Sequence, residues 1–487
     1  MHRPPTDNTN TNMNSKAVLD IFKEITTVPR ESGREEKMVE WLKNWASEHS
    51  LSCKVDKVGN VFIRREAAKG KENVPTIVLQ AHSDMVCEKN ASCAHDFTRD
   101  PINYIIEDGW MIAPDTTLGA DDGIGIAAAL ALLEDTAPTG PIECLFTVSE
   151  ETDMFGAENL QEGFITGNTL INLDSEDEGE LFIGCSGGLN TNVEFSFEKE
   201  TVREWYQTIG LKVKGGLGGH SGDEINKGRA NAVQLLCRFL REESAKGLQL
   251  CSITGGGKPN AIAREALAAV AVPDAAATAA RFAEFGIQIG QEFHVTDPGI
   301  STEVEKTVQI DSAYNSEQAQ RFIAAMFACP HGVQAMSQDI AGLVQTSTNL
   351  AAVRATGENS LTVITSQRSP SRGERLAIAH KVAACFELAG GKSEHLLEYP
   401  GWEPNPSSAI LGRSILAYRK LFNQEPVVRA IHAGLECGLF LTKFPQLDMV
   451  SFGPTLRGVH APGEKLELAS LDRFVRLLEE IVTSFGE

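Results

Sequence analysis

Short apolar runs that stop on a histidine or a carboxylate recur along this sequence, and they limit its fold more than any other feature. The first, Thr-Ile-Val-Leu-Gln-Ala-His-Ser-Asp at 76–84, is entered from Pro75 and ends by delivering His82 and Asp84. A run of this length with no polar alternation reads as a strand buried on both faces, the mark of a parallel sheet. A second run, 142–148, ends in Ser149-Glu150-Glu151, and a third, 169–173, ends in Asp174. Between the first two lies a long irregular loop, 90–117, a kind of segment that in compact proteins usually serves function. It closes on Leu118-Gly119-Ala120-Asp121-Asp122-Gly123 and leads into a helix with Ile126, Leu130 and Leu133 on one face. Strands alternating with helices predict an α/β fold with a central, mostly parallel sheet flanked by helices. In such sheets ligands gather at the carboxyl ends of the strands, where these charged residues fall.

Upstream, Val18, Ile21, Phe22 and Ile25 follow helical spacing, and a second helix carries Met38, Leu42 and Trp45. Segments 52–55 and 61–64, joined through Gly59-Asn60, read as a hairpin feeding the first buried strand. Near residue 190 the character changes. From 211 to about 399 the order strand, helix, two strands, helix, strand is roughly repeated, with helices at 230–241, 316–327 and 373–386. This weak repeat predicts an inserted α+β lid of two related halves at 191–399, between two segments of a first domain at 1–190 and 400–487. The second segment holds a helix at 408–422, the stretch Arg-Ala-Ile-His-Ala-Gly-Leu-Glu-Cys-Gly at 429–438, a strand at 449–452 and a closing helix through Leu471, Phe474, Leu477, Leu478 and Ile481.

Charge narrows the partners. Asp and Glu total 66 against 44 Lys and Arg, a formal net charge of -22, which opposes nucleic acid and anionic membranes because both demand a basic surface. No apolar segment approaches the ~20 residues of a membrane helix. Residues 1–15 are polar and read as a disordered leader rather than a signal peptide. The ten cysteines are scattered without a Cys-x-x-Cys, so reduced thiols in a cytoplasm are expected rather than a zinc ribbon or a disulfide framework.

Each charged strand end has an ordinary explanation when taken alone. His82 suits a hydrogen-bonded structural histidine, Asp121 a helix N-cap, and the acidic run 175–180 a solvated turn. The adjacent carboxylates Glu150 and Glu151 are harder to place, because at a buried strand end they repel unless a cation or a shared proton lies between them. With His460, in Leu-Arg-Gly-Val-His-Ala-Pro-Gly-Glu at 456–464, the set becomes His82, Asp84, Asp121, Glu150, Glu151, Asp174 and His460. Two imidazoles among carboxylates suit zinc or a similar borderline divalent ion, manganese and cobalt being alternatives, better than magnesium. The acids exceed the needs of one four-coordinate ion. Two ions about 3.5–4 Å apart, bridged by a carboxylate and a water, use them all. Two glycine-rich loops, 215–222 around His220 and 255–260 ending in Lys-Pro-Asn, lack the pattern of a phosphate-binding loop.

Together, His-Ser-Asp, Gly-Ala-Asp-Asp, Ser-Glu-Glu, Asn-Leu-Asp, Gly-Gly-His-Ser-Gly and Val-His-Ala-Pro-Gly-Glu resemble the motifs of the cocatalytic zinc metallopeptidases, which include aminoacylases, glutamate carboxypeptidases and dipeptidases. More narrowly, Gln-Ala-His-Ser-Asp-Met-Val, Gly-Cys-Ser-Gly-Gly, Gly-Gly-Leu-Gly-Gly-His-Ser-Gly and Ile-His-Ala-Gly-Leu-Glu-Cys-Gly are similar to bacterial aminoacyl-histidine dipeptidases, from about residue 16 onward. The resemblance implies that His82 and Asp174 hold one zinc, Glu151 and His460 the other, and Asp121 both. It makes Asp84 the group that orients His82, and Glu150 the general base acting on a bridging water. It implies that His220, from the lid, stabilises the oxyanion, and that Asn260 and Arg368 bind the free carboxylate of a small peptide substrate. For Arg368 an ordinary surface charge stays open, and His432 reads as structural. The implied activity is hydrolysis of dipeptides, preferably Xaa-His such as β-alanyl-histidine, under a hinged lid. A broader di- or tripeptidase acting also on Cys-Gly, an N-acyl amino acid deacylase and a non-catalytic binding protein are the alternatives. A homodimer is a family-level expectation.

Overall fold

The computed structural model describes residues 13–306 and 308–486. The expected leader lies mostly in 1–12, outside the described residues, but its last residues depart from that reading. Met13 is buried, and Asn14 caps the helix Ser15–Ile25 by accepting the Ala17 N–H at 3.0 Å. Among the described residues no helix is long and apolar enough to cross a membrane. None of the ten cysteines is joined in a disulfide.

The chain forms two compact units: Cys185–Glu403 with Ile431–Leu435 make one, and the remaining described residues make the other. In the latter, called the first unit, an eight-stranded sheet runs in the order Ser52–Val55, Val61–Arg65, Ile142–Thr147, Ile77–His82, Thr169–Asn172, Asp448–Ser451, Glu180–Cys185, Val427–Ile431. The central strands are parallel and the flanks antiparallel. Ile77–His82 and Ile142–Thr147 are buried along their whole length, as unbroken apolar runs require. The register pairs His82 with Thr147 and Gln80 with Asn172. Parallel neighbours in this register end side by side, so 82–84, 149–151 and 174 leave the sheet at one edge.

The helix Ala120–Glu134 is buried from Ala120 through Leu133 and packs against Ile77–His82 and Ser15–Ile25. A helix apolar on every side belongs in an interior. The 90–117 loop is less irregular than its sequence suggests. Ile105–Glu107 and Trp110–Ile112 form a hairpin within a four-stranded sheet that also contains Lys465–Glu467 and Leu456–Arg457. Strands this short carry too little periodicity to read, yet their pairing ties the loop to the segment that bears His460.

In the second unit a nine-stranded sheet runs Ser301–Lys306, Gln207–Lys214, Ala266–Val272, Gln249–Gly256, Val344–Gly357, Ser360–Ser369, Gly187–Ser196, Lys392–Tyr399, with Gly332–Met336 paired to Val344–Gly357 off this path. The helices Ala232–Ser244, Ala275–Glu292, Ser316–Ala328 and Arg372–Glu387 contribute Leu236, Phe282, Phe322 and Phe386 to one buried cluster with Val193, Phe195 and Val270. Phe195 meets Phe322 edge-on at 5.0 Å. The sheet order is symmetric about its middle, and the strand that stands in the second half where Gln207–Lys214 stands in the first is Gly187–Ser196. It comes from upstream of the first half, so a repeat read from residue 211 onward misses it.

Candidate active site

The edge of the first unit's sheet gathers the charged strand ends. His82 Nε2 lies 2.9 Å from Asp121 Oδ1 and 3.7 Å from Asp174 Oδ1. His460 Nε2 lies 3.1 Å from Asp121 Oδ2 and 2.8 Å from Glu151 Oε1. Asp121 thus turns one carboxylate oxygen toward each imidazole, the disposition of a bridge. Three triads have their ligand atoms within 4.8 Å of one another: His82, Asp121 and Asp174; Asp121, Glu151 and His460; His82, Glu150 and Glu151. Asp84 stands behind them. Its Oδ1 is 3.3 Å from His82 Nδ1 and accepts the Glu150 N–H at 3.0 Å, while Oδ2 accepts the Glu151 N–H at 3.2 Å.

The electrostatics favour cations. Burial pushes Glu150 well above the usual carboxylate range; His82 opposes the shift, and Glu436, Glu151 and Asp121 add to it. Burial likewise raises Asp174, with Asp121 beside it. Burial works against the charge of Asp84, yet hydrogen bonding to His82 holds it down to about 2. Hydrogen bonds to Asp121 and Glu151 drive His460 up to about 11. Such a pocket holds more negative charge than its two imidazoles offset, and mixed nitrogen and oxygen donors around a shared carboxylate suit a pair of divalent ions.

Local conformation sets these side chains. Ser149, at φ 54°, turns the chain out of its strand so that Glu150 and Glu151 open the short helix Glu150–Asp153. The Ser149 N–H and hydroxyl both donate to Glu35 Oε1, at 2.9 and 3.0 Å. The Asp121 turn is gripped from two sides. The Glu464 carboxylate accepts the N–H groups of Leu118, Gly119, Ala120 and Asp121 at 2.7–3.4 Å, and buried Arg30 donates to the carbonyls of Asp84, at 2.6 Å, and Gly119. Gly119 has φ 68°, and a Cβ there would sit 2.5 Å from Arg30 Nη2. The Asp121–Asp122 peptide is cis. Asp122 Oδ2 accepts the His82 N–H at 3.3 Å. Glu436 is buried, accepts from Gln80 Nε2 at 2.6 Å and Thr147 Oγ1 at 2.8 Å, and is pushed by burial up to about 7 against the pull of His82.

Arg30, Glu35, Asp122, Glu436 and Glu464 are absent from the sequence-derived site. Glu464, Glu436 and Asp122 stand inside motifs already noted, and it is spacing within those motifs that could have flagged them. For Arg30 and Glu35 no local signal exists, because the partners that tie them to the site, at 84, 119 and 149, lie far away in sequence.

His220, Asn260, Arg368 and His432 belong to the second unit. Asp223 Oδ2 lies 3.3 Å from His220 Nδ1. The Ser221 N–H donates to the Asn260 carbonyl at 2.8 Å, and the Asn260 side chain is exposed. Arg368 is buried rather than a surface charge. His432 accepts or donates at both ring nitrogens, with Ser186 Oγ and Ser347 Oγ each 2.7 Å away. Burial, with the Arg368 charge nearby, depresses it to about 3.

Strand-end carboxylates and imidazoles converging on a shared aspartate, with a spare buried glutamate alongside, define a metal-dependent hydrolase. Comparison narrows the class: the chain belongs to peptidase family M20/M25/M40, whose model matches residues 78–484, and it is a metallopeptidase. The cytosol non-specific dipeptidase of Escherichia coli (strain K12) is 38% identical over 478 residues, 96% of this chain and 98% of that protein. The crystal structure of aminoacylhistidine dipeptidase from Vibrio alginolyticus matches with a TM-score of 0.90 at 38% identity, covering 98% of each chain. Aminopeptidase PepT from Bacillus cereus ATCC 10987, at 16% identity, TM-score 0.58 and coverage of 98% and 100%, shares the fold.

Proposed function

We propose that this protein hydrolyses dipeptides with a free amino and a free carboxyl terminus, with Xaa-His peptides such as β-alanyl-histidine preferred within a broader range. The observation that carries the reading is Asp121, whose two oxygens face His82 and His460 separately. His82 and Asp174 would hold one divalent ion, Glu151 and His460 a second, and Asp121 both, with zinc the best match to these donors. When bound, the ions polarise the scissile carbonyl and make a water acidic enough to attack at neutral pH. Glu150 takes the proton from the attacking water and returns it to the leaving amine, and its raised proton affinity suits both roles. Asp84 keeps His82 turned Nε2-first toward Asp121 and Asp174. His220 donates to the developing oxyanion, and the second unit acts as the lid.

Arg368 and Asn260 receive the substrate's terminal carboxylate. Arg368 is buried, its Nε has no partner, and no carboxylate lies within ion-pair distance of it among the described residues. A buried guanidinium without a direct ion pair is costly, and an anionic ligand offsets that cost. The names of the two relatives at 38% identity, one non-specific and one aminoacylhistidine, support a dipeptidase over an N-acyl amino acid deacylase. The cytosolic relative supports a cytoplasmic location. Metal analysis with turnover on β-alanyl-histidine, other Xaa-His dipeptides, Cys-Gly and N-acetyl amino acids tests the reading. Dipeptide hydrolysis that stops on chelation and returns with zinc is expected, whereas hydrolysis of N-acetyl amino acids alone overturns it.

A further inference from the structure

The motif Gly184-Cys185-Ser186-Gly187-Gly188 contributes no carboxylate or imidazole to the candidate metal site, yet its last residue sits at a crowded point of the second unit. The strand Gly187–Ser196 runs between Ser360–Ser369 and Lys392–Tyr399, and Gly188 is paired with Arg368 on one side and Tyr399 on the other. A Cβ on Gly188 would lie 2.2 Å from Tyr399 Cε1 and 2.4 Å from its hydroxyl. The phenol ring therefore lies across bare backbone, and only a glycine leaves it room. From there its hydroxyl accepts a hydrogen bond from Arg368 Nη1 at 2.9 Å. That contact accounts for one corner of the guanidinium, and the buried Nε is left without a partner.

We propose that Tyr399, seated on Gly188, is a positioning residue that fixes the Arg368 guanidinium for the substrate's terminal carboxylate and offers its own O–H as a second donor. The proposal rests on the reading of Arg368 as the carboxylate site. A hydroxyl that accepts from Arg368 keeps its proton free to donate outward, and a planar guanidinium held at one corner presents its remaining N–H groups in a fixed direction. Asp223, the carboxylate that feels the Arg368 charge, lies 3.3 Å from His220 Nδ1 and forms no ion pair with Arg368 among the described residues, which leaves the buried Nε side of the guanidinium open to an anion from outside.

The test uses the zinc-loaded full-length enzyme, with β-alanyl-histidine and its C-terminal amide as paired substrates. Tyr399→Phe keeps the ring and removes the hydroxyl. It is expected to raise KM for the dipeptide about tenfold, to leave kcat within about twofold, and to leave KM for the amide unmoved, so that the preference for a free carboxylate shrinks. Gly188→Ala pushes the ring aside with its hydroxyl intact and has to give the same loss of preference. If either variant retains the wild-type preference, or raises both KM values equally, Tyr399 does not position the carboxylate site. Arg368→Met separates the two layers. Should it erase the preference while Tyr399→Phe does not, the Tyr399 proposal fails alone. Should Arg368→Met itself keep the preference, the carboxylate reading of Arg368 fails and the proposal with it.

Discussion

At Glu150 and at His432 the same force, burial, does opposite things to a titratable side chain. It keeps a proton on the glutamate and off the histidine, since in each case the charged form is the one disfavoured. In the proposed ligand set Glu150 binds neither ion, so Glu150→Ala is expected to leave two ions bound while kcat falls by about two to four orders of magnitude. Elemental analysis beside steady-state kinetics checks both halves. A variant with near-normal turnover would show that another group moves the proton. The His432 shift makes a stability prediction. Its folded-state value is depressed to about 3, so the unfolded chain binds a proton that the folded chain refuses at any pH between there and the ordinary value near 6.5. Its contribution is complete above about pH 6.5 and is lost as pH falls, at up to about 1.4 kcal/mol per unit. Urea titrations of the wild type at pH 7 and 5 are expected to show this loss, and His432→Gln, whose amide still reaches the Nε2 position but cannot titrate, to show a smaller one.

Between strands and helices, the turns decide whether ligands meet. The residues 118–121 are held by the Glu464 carboxylate on their N–H side and by Arg30 on the Gly119 carbonyl, and Gly119 must adopt a left-handed conformation between them. Glu464→Gln places an amide nitrogen among donors and removes a charge-assisted cradle. Metal affinity is expected to fall about 10- to 100-fold, the range seen when groups supporting a ligand are removed, as measured by competition with a chromophoric chelator. Unaltered affinity would mean that the Asp121 turn is self-supporting. Gly119→Ala should be worse, because its Cβ collides with Arg30 and its φ resists a side chain. A similar turn at Ser149 carries Glu150 and Glu151, and the hairpin loop between Leu456–Arg457 and Lys465–Glu467 carries His460 at φ 62°.

Each unit buries apolar side chains of its own, and the candidate metal donors all come from the first. Ligands that bind only a folded site stabilise it by mass action, about 4 kcal/mol at a thousandfold excess over Kd. Calorimetry of the zinc-loaded and chelated protein is therefore expected to show one transition that drops on chelation and one that does not; a uniform shift of a single transition would mean that the units unfold together. The sequence by itself determined the buried parallel strands and the residues at their ends, because apolar runs too short for a helix fit a buried strand and the charged residues that stop them emerge at the sheet edge. It determined the alternation of elements in the second unit for the same reason of periodicity. What tertiary structure alone decided was everything made by partners distant in the chain: Glu464 under Asp121, Arg30 beside Gly119, Gly187–Ser196 completing a half that begins far downstream, and Tyr399 lying over Gly188. Hydrogen-bond and steric complementarity of that kind leaves no period in the sequence, since it depends on where folding has already put the other residue.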